Sequence, residues 1–333
     1  PLALAFGTMS GAGPQAGLYG AVLVGFWAAL CGGTDTLISG PTGPMTVVMA
    51  ALLTRLAASH PEQALALGFT AVVVAGVVQI ALGILRLGRY ITLMPYSVIS
   101  GFMSGIGVLL IIHQLPGLLG HSAPPGGSWA VLRELPGLLA AVRPWEFLLG
   151  LLSLAVLFLQ PDSWRRRVPA PLVVLVLGML CGWLLFPEGT FRRIGRIPMG
   201  LPAFHPPVFT PGTFLMVLKH GVILGVLGCI DSLLTALIAD SLTRSEHRSN
   251  RELIGQGIGN LFSGLFGGLP GAGATTGTIV NIQCGARTRR SGLVRALVLL
   301  SIALAVAPLL KNVPIVVLVA ITMKVGIDIL DWS

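Results

Sequence analysis

Apolar stretches of about the length that crosses a lipid bilayer recur along the whole chain. A transmembrane helix needs roughly 20 mostly apolar residues, and such stretches begin near Ala64, Val98, Pro169, Phe214 and Leu293. Hydrophobic residues make up 54% of the chain and charged residues only 10%, which is typical of a protein whose surface mostly faces lipid. Because every backbone polar group in lipid must be bonded within the protein, the sequence predicts an all-α polytopic membrane protein.

The net charge of +9 does not indicate a nucleic-acid-binding protein. The basic residues form short clusters between apolar stretches, not one stripe interleaved with aromatic residues. By the positive-inside rule, most of these clusters are predicted at the cytoplasmic side, while the arginines of a Pro-rich connection fall on the opposite side. The cytoplasmic clusters are Arg86/Arg89, Arg165/Arg166/Arg167, Arg244/Arg248/Arg251 and Arg287/Arg289/Arg290/Arg295, and the exceptions are Arg192, Arg193 and Arg196.

No pattern of catalytic or metal-binding residues is present in the sequence. The four cysteines stand singly within or beside apolar stretches, and the six histidines are scattered without ligand spacing. An integral membrane enzyme needs a nucleophile and a base, or metal ligands, at workable spacing, and a channel needs a continuous polar lining or rings of charge. We therefore expect neither an enzyme nor a channel, and no organic cofactor.

Two prolines and two glycines interrupt an apolar region at "SGPTGPMTVVMA", residues 39–50. Clean helical sequence resumes only from Met45 to Ala58 and is too short to cross a bilayer. A helix that begins inside the membrane presents unpaired N–H groups and the positive end of its dipole, which together favour a bound anion. Irregular backbone at that depth is tolerated only where it lines a cavity or is buried in protein.

A second interruption at "GGLPGAGATTGTIVNI", residues 267–282, resembles the first. Each has an entry rich in Gly and Pro, a threonine where a short helix begins, and a basic residue placed beyond the helix end (Arg55 and Arg287). Paired interrupted segments in corresponding halves indicate the substrate site of an inverted-repeat transporter, with two helix N-termini facing each other at the bilayer midplane. The alternative is that both are simple re-entrant hairpins.

Asp231 places a carboxyl group in the middle of the apolar stretch "LGCIDSLLTALIADSLTR". An ionisable side chain at that depth costs at least a few kcal/mol and indicates a functional site. Thr235 lies one helical turn further on the same face, and hard oxygen ligands suit sodium, with opened backbone carbonyls in residues 271–275 completing the shell. Two alternatives stay open: Asp231 carries a proton, since burial favours the neutral acid, or it pairs structurally with a neighbouring helix.

Several segments resemble the SulP family of anion transporters. They include "GLYGAVLVGFWAALCGGTDTLISGPTGPMTVVMAALL", "RLGRYITLMPYSVISGFMSGIGVLLI" and "MKVGIDILDWS", and the likeness covers nearly the whole chain. The resemblance implies two inverted repeats of seven transmembrane segments, divided into a core domain and a gate domain. Residues 1–333 would then be the transport domain, with the first span incomplete and the last two absent. A cytoplasmic STAS domain that aids homodimerisation would follow residue 333 in the full protein.

The resemblance also assigns the candidate site residues. The anion would lie between the two helix starts, with an aromatic wall, and a sodium ion would lie beside it. The implied anion-site residues are Thr42, Gly43, Ala274, Thr275 and Phe6, and the implied sodium ligands are Asp231, Thr235, Gly273 and Thr275. Animal members of the family carry Ser-Arg-Ser where this chain has Ala274-Thr275-Thr276, so a sodium ion would supply the positive charge that their arginine provides.

The functional prediction is a secondary active transporter that couples the inward movement of a small inorganic anion, bicarbonate by the resemblance, to sodium. Without the cation, Asp231 would repel an anion entering the pocket, so each ion would favour the other. The alternative within the family is a proton-coupled transporter of sulfate or of a dicarboxylate such as fumarate. The expected partners are the anion, the lipid bilayer of the bacterial plasma membrane and a second copy of the chain, with no nucleic acid.

Overall fold

The computed structural model describes residues 1–91, 96–124, 127–161, 168–184, 190–195, 200–210, 212–305 and 310–330; the predicted cluster Arg165/Arg166/Arg167 and Arg196 lie outside these ranges. Its helices are α1 (Leu2–Ser10), α2 (Pro14–Cys31), α3 (Gly43–Ser59), α4 (Ala64–Ile84), α5 (Gly88–Ile91), α6 (Tyr96–Leu118), α7 (Gly127–Ala140), α8 (Pro144–Leu159), α9 (Ala170–Leu184), α10 (Phe214–Thr243), α11 (Ser249–Leu265), α12 (Thr275–Gln283), α13 (Arg290–Ala305) and α14 (Ile315–Ile329). Two short strands, β1 (Ser39–Gly40) and β2 (Ala272–Gly273), precede α3 and α12.

Three of the described helices, α2, α4 and α10, are long and apolar enough to cross a membrane. The pair α7 and α8 passes the same test together, with a bend of 115° between its two helices. Shorter apolar helices, α3 among them, accompany these spans. The prediction of an all-helical, multi-pass membrane fold is confirmed.

The first group of packed helices is the core domain, which contains α1–α4 and α10–α13. Glycines bring its helices into close contact: a Cβ atom at Gly76 of α4 would lie 2.5 Å from the backbone nitrogen of Leu261 in α11, and one at Gly257 would lie 2.7 Å from the Gly76 carbonyl oxygen. Small residues of this kind let membrane helices approach until their backbones touch. The core domain carries both interrupted segments and Asp231.

The second group is the gate domain, formed by α6, α8, α9 and α14. The helix α14 lies at its centre, where Val317 and Val319 are almost fully buried. A Cβ atom at Gly178 of α9 would lie 2.4 Å from a methyl group of Val317, and one at Gly117 of α6 would lie 2.6 Å from a methyl group of Val319. The predicted division into core and gate domains is therefore visible in the packing.

Several of the predicted arginine clusters meet at one end of the core domain, as the topology assignment requires. Arg251 at the start of α11 donates a hydrogen bond to the Cys31 carbonyl oxygen at the end of α2 (3.2 Å), and Arg289 pairs with Asp35 at 2.7 Å. One detail of the sequence interpretation is wrong: Arg55 lies within α3 and not beyond its end. The helix continues to Ser59 because no glycine or proline interrupts it before Pro61.

Candidate functional site

The two interrupted segments meet as a two-stranded antiparallel sheet inside the core domain. Ser39 of β1 lies opposite Gly273 of β2, and Gly40 lies opposite Ala272. The Ala274 backbone N–H donates a hydrogen bond of 2.7 Å to the Ile38 carbonyl oxygen. The sheet brings the first residues of α3 and α12 close together, which confirms the prediction of two half-helices preceded by short extended segments.

The long helix α10 binds the outer edge of β2 through two hydroxyl groups. The Gly273 N–H donates to Ser232 Oγ at 3.0 Å, and Thr235 Oγ1 donates to the Gly273 carbonyl oxygen at 3.0 Å. Thr235 Oγ1 also lies 2.9 Å from Thr275 Oγ1 at the start of α12. The predicted ligands Thr235, Gly273 and Thr275 therefore form one hydrogen-bonded group. Ser232 was not predicted, because it follows Asp231 directly and points about 100° away around the helix.

Asp231 lies beside this group and is 5% exposed. Its Oδ2 atom has no hydrogen-bond partner among the described residues. The side chain of Thr42 faces the Asp231 carboxyl group from the other half-helix, close enough for a hydrogen bond to that carboxyl group, although neither Thr42 Oγ1 nor Asp231 Oδ2 makes a hydrogen bond of standard geometry among the described residues. Buried polar groups are nearly always well bonded, so two buried oxygens without a bond of standard geometry mark a place where a ligand can bind.

The start of α3 lies against the gate domain. Thr42 precedes the helix in an extended conformation, with φ −117° and ψ 160°, and its side chain does not cap the helix. A Cβ atom at Gly43 would lie 2.8 Å from Leu110 Cδ1 of α6 and 3.3 Å from Ile329 Cδ1 of α14. The N-terminal N–H groups of α3 are therefore presented where core and gate meet. Leu110 was not predicted, since one leucine in an apolar span carries no distinguishing signal.

Phe6 packs in the same apolar cluster as Met45 and Leu110 and is 3% exposed. Its position is compatible with the predicted apolar wall near the start of α3. The second half-helix is more open: Ala274 and Thr275 are half-buried, while Thr276 is exposed. Phe6 lies on α1, the other predicted site residues lie on the two interrupted segments and on α10, and the roles of all of them remain predictions.

A stripe of polar side chains on α11 supports the backbone of both strands. Asn260 binds both backbone groups of Gly271, donating to its carbonyl oxygen at 2.8 Å and accepting from its N–H at 2.7 Å. Gln256 donates to Ser39 Oγ at 2.6 Å, and Glu252 accepts hydrogen bonds of 2.8 Å from the Gly33 and Thr34 N–H groups. These three residues recur every fourth position, a spacing that places them on one helix face. That spacing is the sequence signal for a polar supporting face.

The profile of the Sulfate permease family matches residues 1–333 of the chain. The chain belongs to the Sulfate permease (SulP) family. It is 56% identical over 337 residues to the bicarbonate transporter BicA of a Picosynechococcus species, an alignment that covers 100% of this chain and 60% of the relative. It is also 56% identical over 322 residues to BicA of a Synechocystis species, with 97% of this chain and 57% of the relative covered.

A solved structure described as the transmembrane domain of a cyanobacterial bicarbonate transporter BicA superimposes on this SulP chain with a TM-score of 0.95. The two are 55% identical, and the match covers 100% of this chain and 86% of the other. The SulP chain spans about 60% of the length of the curated relatives it matches. The family match over residues 1–333 confirms the resemblance to the SulP family.

Proposed function

We propose that this chain forms the membrane part of a sodium-coupled bicarbonate transporter that works by alternating access. The anion would bind at the N-terminal N–H groups of α3 and α12, close to Thr42, Gly43, Ala274 and Thr275, with Phe6 in the apolar wall. The identity to two proteins named as bicarbonate transporters supports bicarbonate as the substrate. Helix N-termini favour small anions because their unpaired N–H groups and dipoles carry partial positive charge.

The observation that carries the proposal is the buried Asp231 carboxyl group, whose Oδ2 atom makes no hydrogen bond of standard geometry among the described residues and which faces the Thr42 side chain. A buried carboxylate without a counter-charge is expensive, and a bound sodium ion neutralises it. Thr235, the Gly273 carbonyl oxygen and Thr275 lie within one hydrogen-bonded group beside it and add hard oxygen ligands. Sodium is here a transported co-substrate. Its charge removes the repulsion between Asp231 and the anion, which makes the binding of the two ions cooperative.

Movement of the core domain against the gate domain would expose this site to the two sides of the membrane in turn. The contact of Gly43 with Leu110 and Ile329 lies at the boundary between the domains, so a rigid-body displacement of the core changes access to the start of α3. The strand pair and the helices that carry the ion ligands all belong to the core and would travel together.

The second candidate is proton-coupled transport of sulfate or of a dicarboxylate such as fumarate. The buried Asp231 carboxyl group also favours this second candidate, because a proton can neutralise a buried carboxylate when no cation is bound. In this mechanism, protonation of Asp231 would remove the charge that opposes anion entry. The two candidates share the fold and the anion site and differ only in the ion that Asp231 carries.

Uptake of labelled bicarbonate into proteoliposomes separates the two candidates. An inward sodium gradient is compared with an inward proton gradient of equal size, with unlabelled sulfate and fumarate as competitors. Uptake that follows the sodium gradient and resists the competitors is the expected result. Uptake that follows only the proton gradient, or that fumarate or sulfate blocks, would contradict sodium coupling and bicarbonate selectivity.

We further propose that the whole protein is a homodimer in the bacterial plasma membrane, with a cytoplasmic STAS domain that follows this chain. The arginine-rich end of the core domain would face the cytoplasm. Cross-linking of the full-length protein in native membranes tests the dimer. Labelling of single introduced cysteines with a membrane-impermeant reagent tests the orientation, with one cysteine near Arg86, before α6, and another near Trp129, after α6. Labelling near Arg86 from the outside of intact cells would contradict it.

A further inference from the structure

An arginine of α13 lies against the strand that leads into the first half-helix. Arg295 Nη1 donates a hydrogen bond of 2.9 Å to the Ser39 carbonyl oxygen of β1. Two glycines lie directly beside its planar guanidinium group: a Cβ atom at Gly25 of α2 would be in contact with Nη1 at 3.4 Å, and one at Gly40 would be in contact with Nη2 at 3.6 Å. The guanidinium group is therefore enclosed by α2, β1 and α13.

The charge of Arg295 has no carboxylate partner among the described residues, whose ion pairs all involve other side chains. The hydrogen bond from Arg295 to a neutral carbonyl oxygen does not neutralise it. A guanidinium group stays protonated inside proteins, so it contributes a fixed positive charge to its surroundings. Arg295 thus adds a permanent positive field beside the backbone that leads to the anion site.

The geometry of the sheet places this charge opposite Asp231. Ser39 and Gly273 form a pair whose backbone groups point away from the partner strand, as every second pair of an antiparallel ladder does. Gly273 is bonded to the hydroxyl groups of α10, the helix that carries Asp231, whereas Ser39 is bonded to Arg295. One edge of the sheet therefore adjoins a carboxyl group and the other edge adjoins a guanidinium group.

We propose that Arg295 is an electrostatic positioning residue: it fixes β1 and holds a permanent positive charge behind the start of α3, which strengthens anion binding and weakens sodium binding. The proposal rests on the function proposed above. Gly43 is three residues beyond Gly40, a distance of at most about 10 Å along an extended chain. At about 10–14 Å from the guanidinium group, in an effective protein dielectric of about 20, one unit charge changes the affinity of a monovalent ion by about tenfold.

The test compares three variants in proteoliposomes: Arg295→Gln, Arg295→Lys and Arg290→Gln. Arg290 begins the same helix, is exposed and therefore serves as the matched control. The KM for bicarbonate at saturating sodium and the KM for sodium at saturating bicarbonate are measured for each. We expect R295Q to raise the bicarbonate KM about tenfold and to lower the sodium KM by a similar factor, while R295K and R290Q stay within about twofold of the wild type.

Opposite changes in the two KM values distinguish a charge from a merely structural role, since a distorted strand pair weakens the binding of both ions. If R295Q raises both KM values, or changes neither, the proposal is wrong. If R295Q does not fold, R295K still decides, because a folded R295K protein with both KM values raised overturns the electrostatic role. If wild-type uptake does not depend on sodium, the proposed function fails, and Arg295 is then tested by the KM of the anion that the wild type carries.

Discussion

The two interrupted segments are alike in backbone and different in their surroundings. At β2, Gly271 and Gly273 have both of their backbone groups bonded to side chains of α10 and α11. At β1, Ser39 is held through its hydroxyl group by Gln256 and through its carbonyl oxygen by Arg295. The helix that follows β1 presses against the gate domain through Gly43, whereas Thr276 after β2 is exposed.

This difference assigns different tasks to the two segments. The second segment presents oxygen atoms, fixed by α10 around Gly273 and Thr275, in an arrangement that suits a cation. The first presents the N-terminal N–H groups of α3 and a buried hydroxyl at Thr42, directly beside the gate residue Leu110. We infer that the second segment mainly sets coupling to sodium and that the first mainly sets anion affinity and access. The predictions below test that division.

Asp231→Asn is expected to have the largest effect. The amide keeps the size of the side chain but cannot neutralise a sodium ion, so we expect sodium-driven uptake to fall at least about 100-fold, in line with the loss of a fully buried charge partner. The sodium dependence of initial uptake rates measures it. Asp240→Asn is the matched control, because Asp240 lies further along α10 and is bonded to His247 at 2.6 Å. Retention of the wild-type sodium response in D231N would contradict the cation site.

Gly43→Ala tests whether the gate closes on the first segment. The added methyl group would meet Leu110 Cδ1 at 2.8 Å, so either the leucine or α3 must shift, at a cost of about 1–3 kcal/mol. We expect transport to fall about tenfold and to recover in part in the double variant G43A/L110A, which restores the space. Gly101→Ala on α6, where an added Cβ atom would meet no atom of the described residues within 4 Å, should leave transport unchanged. Independent, additive effects of G43A and L110A would contradict direct contact between these residues during transport.

The sequence was sufficient to predict the broken helices, because prolines and clustered glycines inside an apolar stretch strongly disfavour a continuous helix. It also placed Asp231 near the second break, since a carboxyl group in an apolar helix needs a partner. It could not give the pairing of Ser39 with Gly273, because strands of two residues have no periodic pattern. Arg295 was interpreted only as a marker of membrane orientation. Its contact with Ser39 joins residues far apart in the chain, and no sequence pattern relates the two.

Thr235→Val is expected to have a smaller effect than loss of the charge. Valine has the shape of threonine but cannot bind the Gly273 carbonyl oxygen or Thr275, so a carbonyl oxygen is left unbonded at a cost of about 1–3 kcal/mol. We expect the sodium KM to rise about tenfold with a smaller change in the bicarbonate KM. Thr322→Val in α14, which removes a hydroxyl bonded within its own helix at 2.6 Å, controls for loss of a buried hydroxyl. A larger effect on bicarbonate than on sodium would reverse the assignment of the second segment.

Thr42→Val is expected to have the smallest effect. It distinguishes most directly between the anion site and the cation site. The Thr42 hydroxyl faces the Asp231 carboxyl group and makes no hydrogen bond of standard geometry among the described residues, so its removal costs the fold little, and the thermal stability of the detergent-solubilised protein should change little. Any loss of transport is then due to weaker ligand binding, and one hydrogen bond of about 0.5–1.5 kcal/mol corresponds to a rise of about twofold to tenfold in the bicarbonate KM. Thr42→Ser, which keeps the hydroxyl, should stay near the wild type. If the sodium KM rises in T42V while the bicarbonate KM does not, the hydroxyl that faces Asp231 binds the cation, and the first segment shares the task assigned to the second.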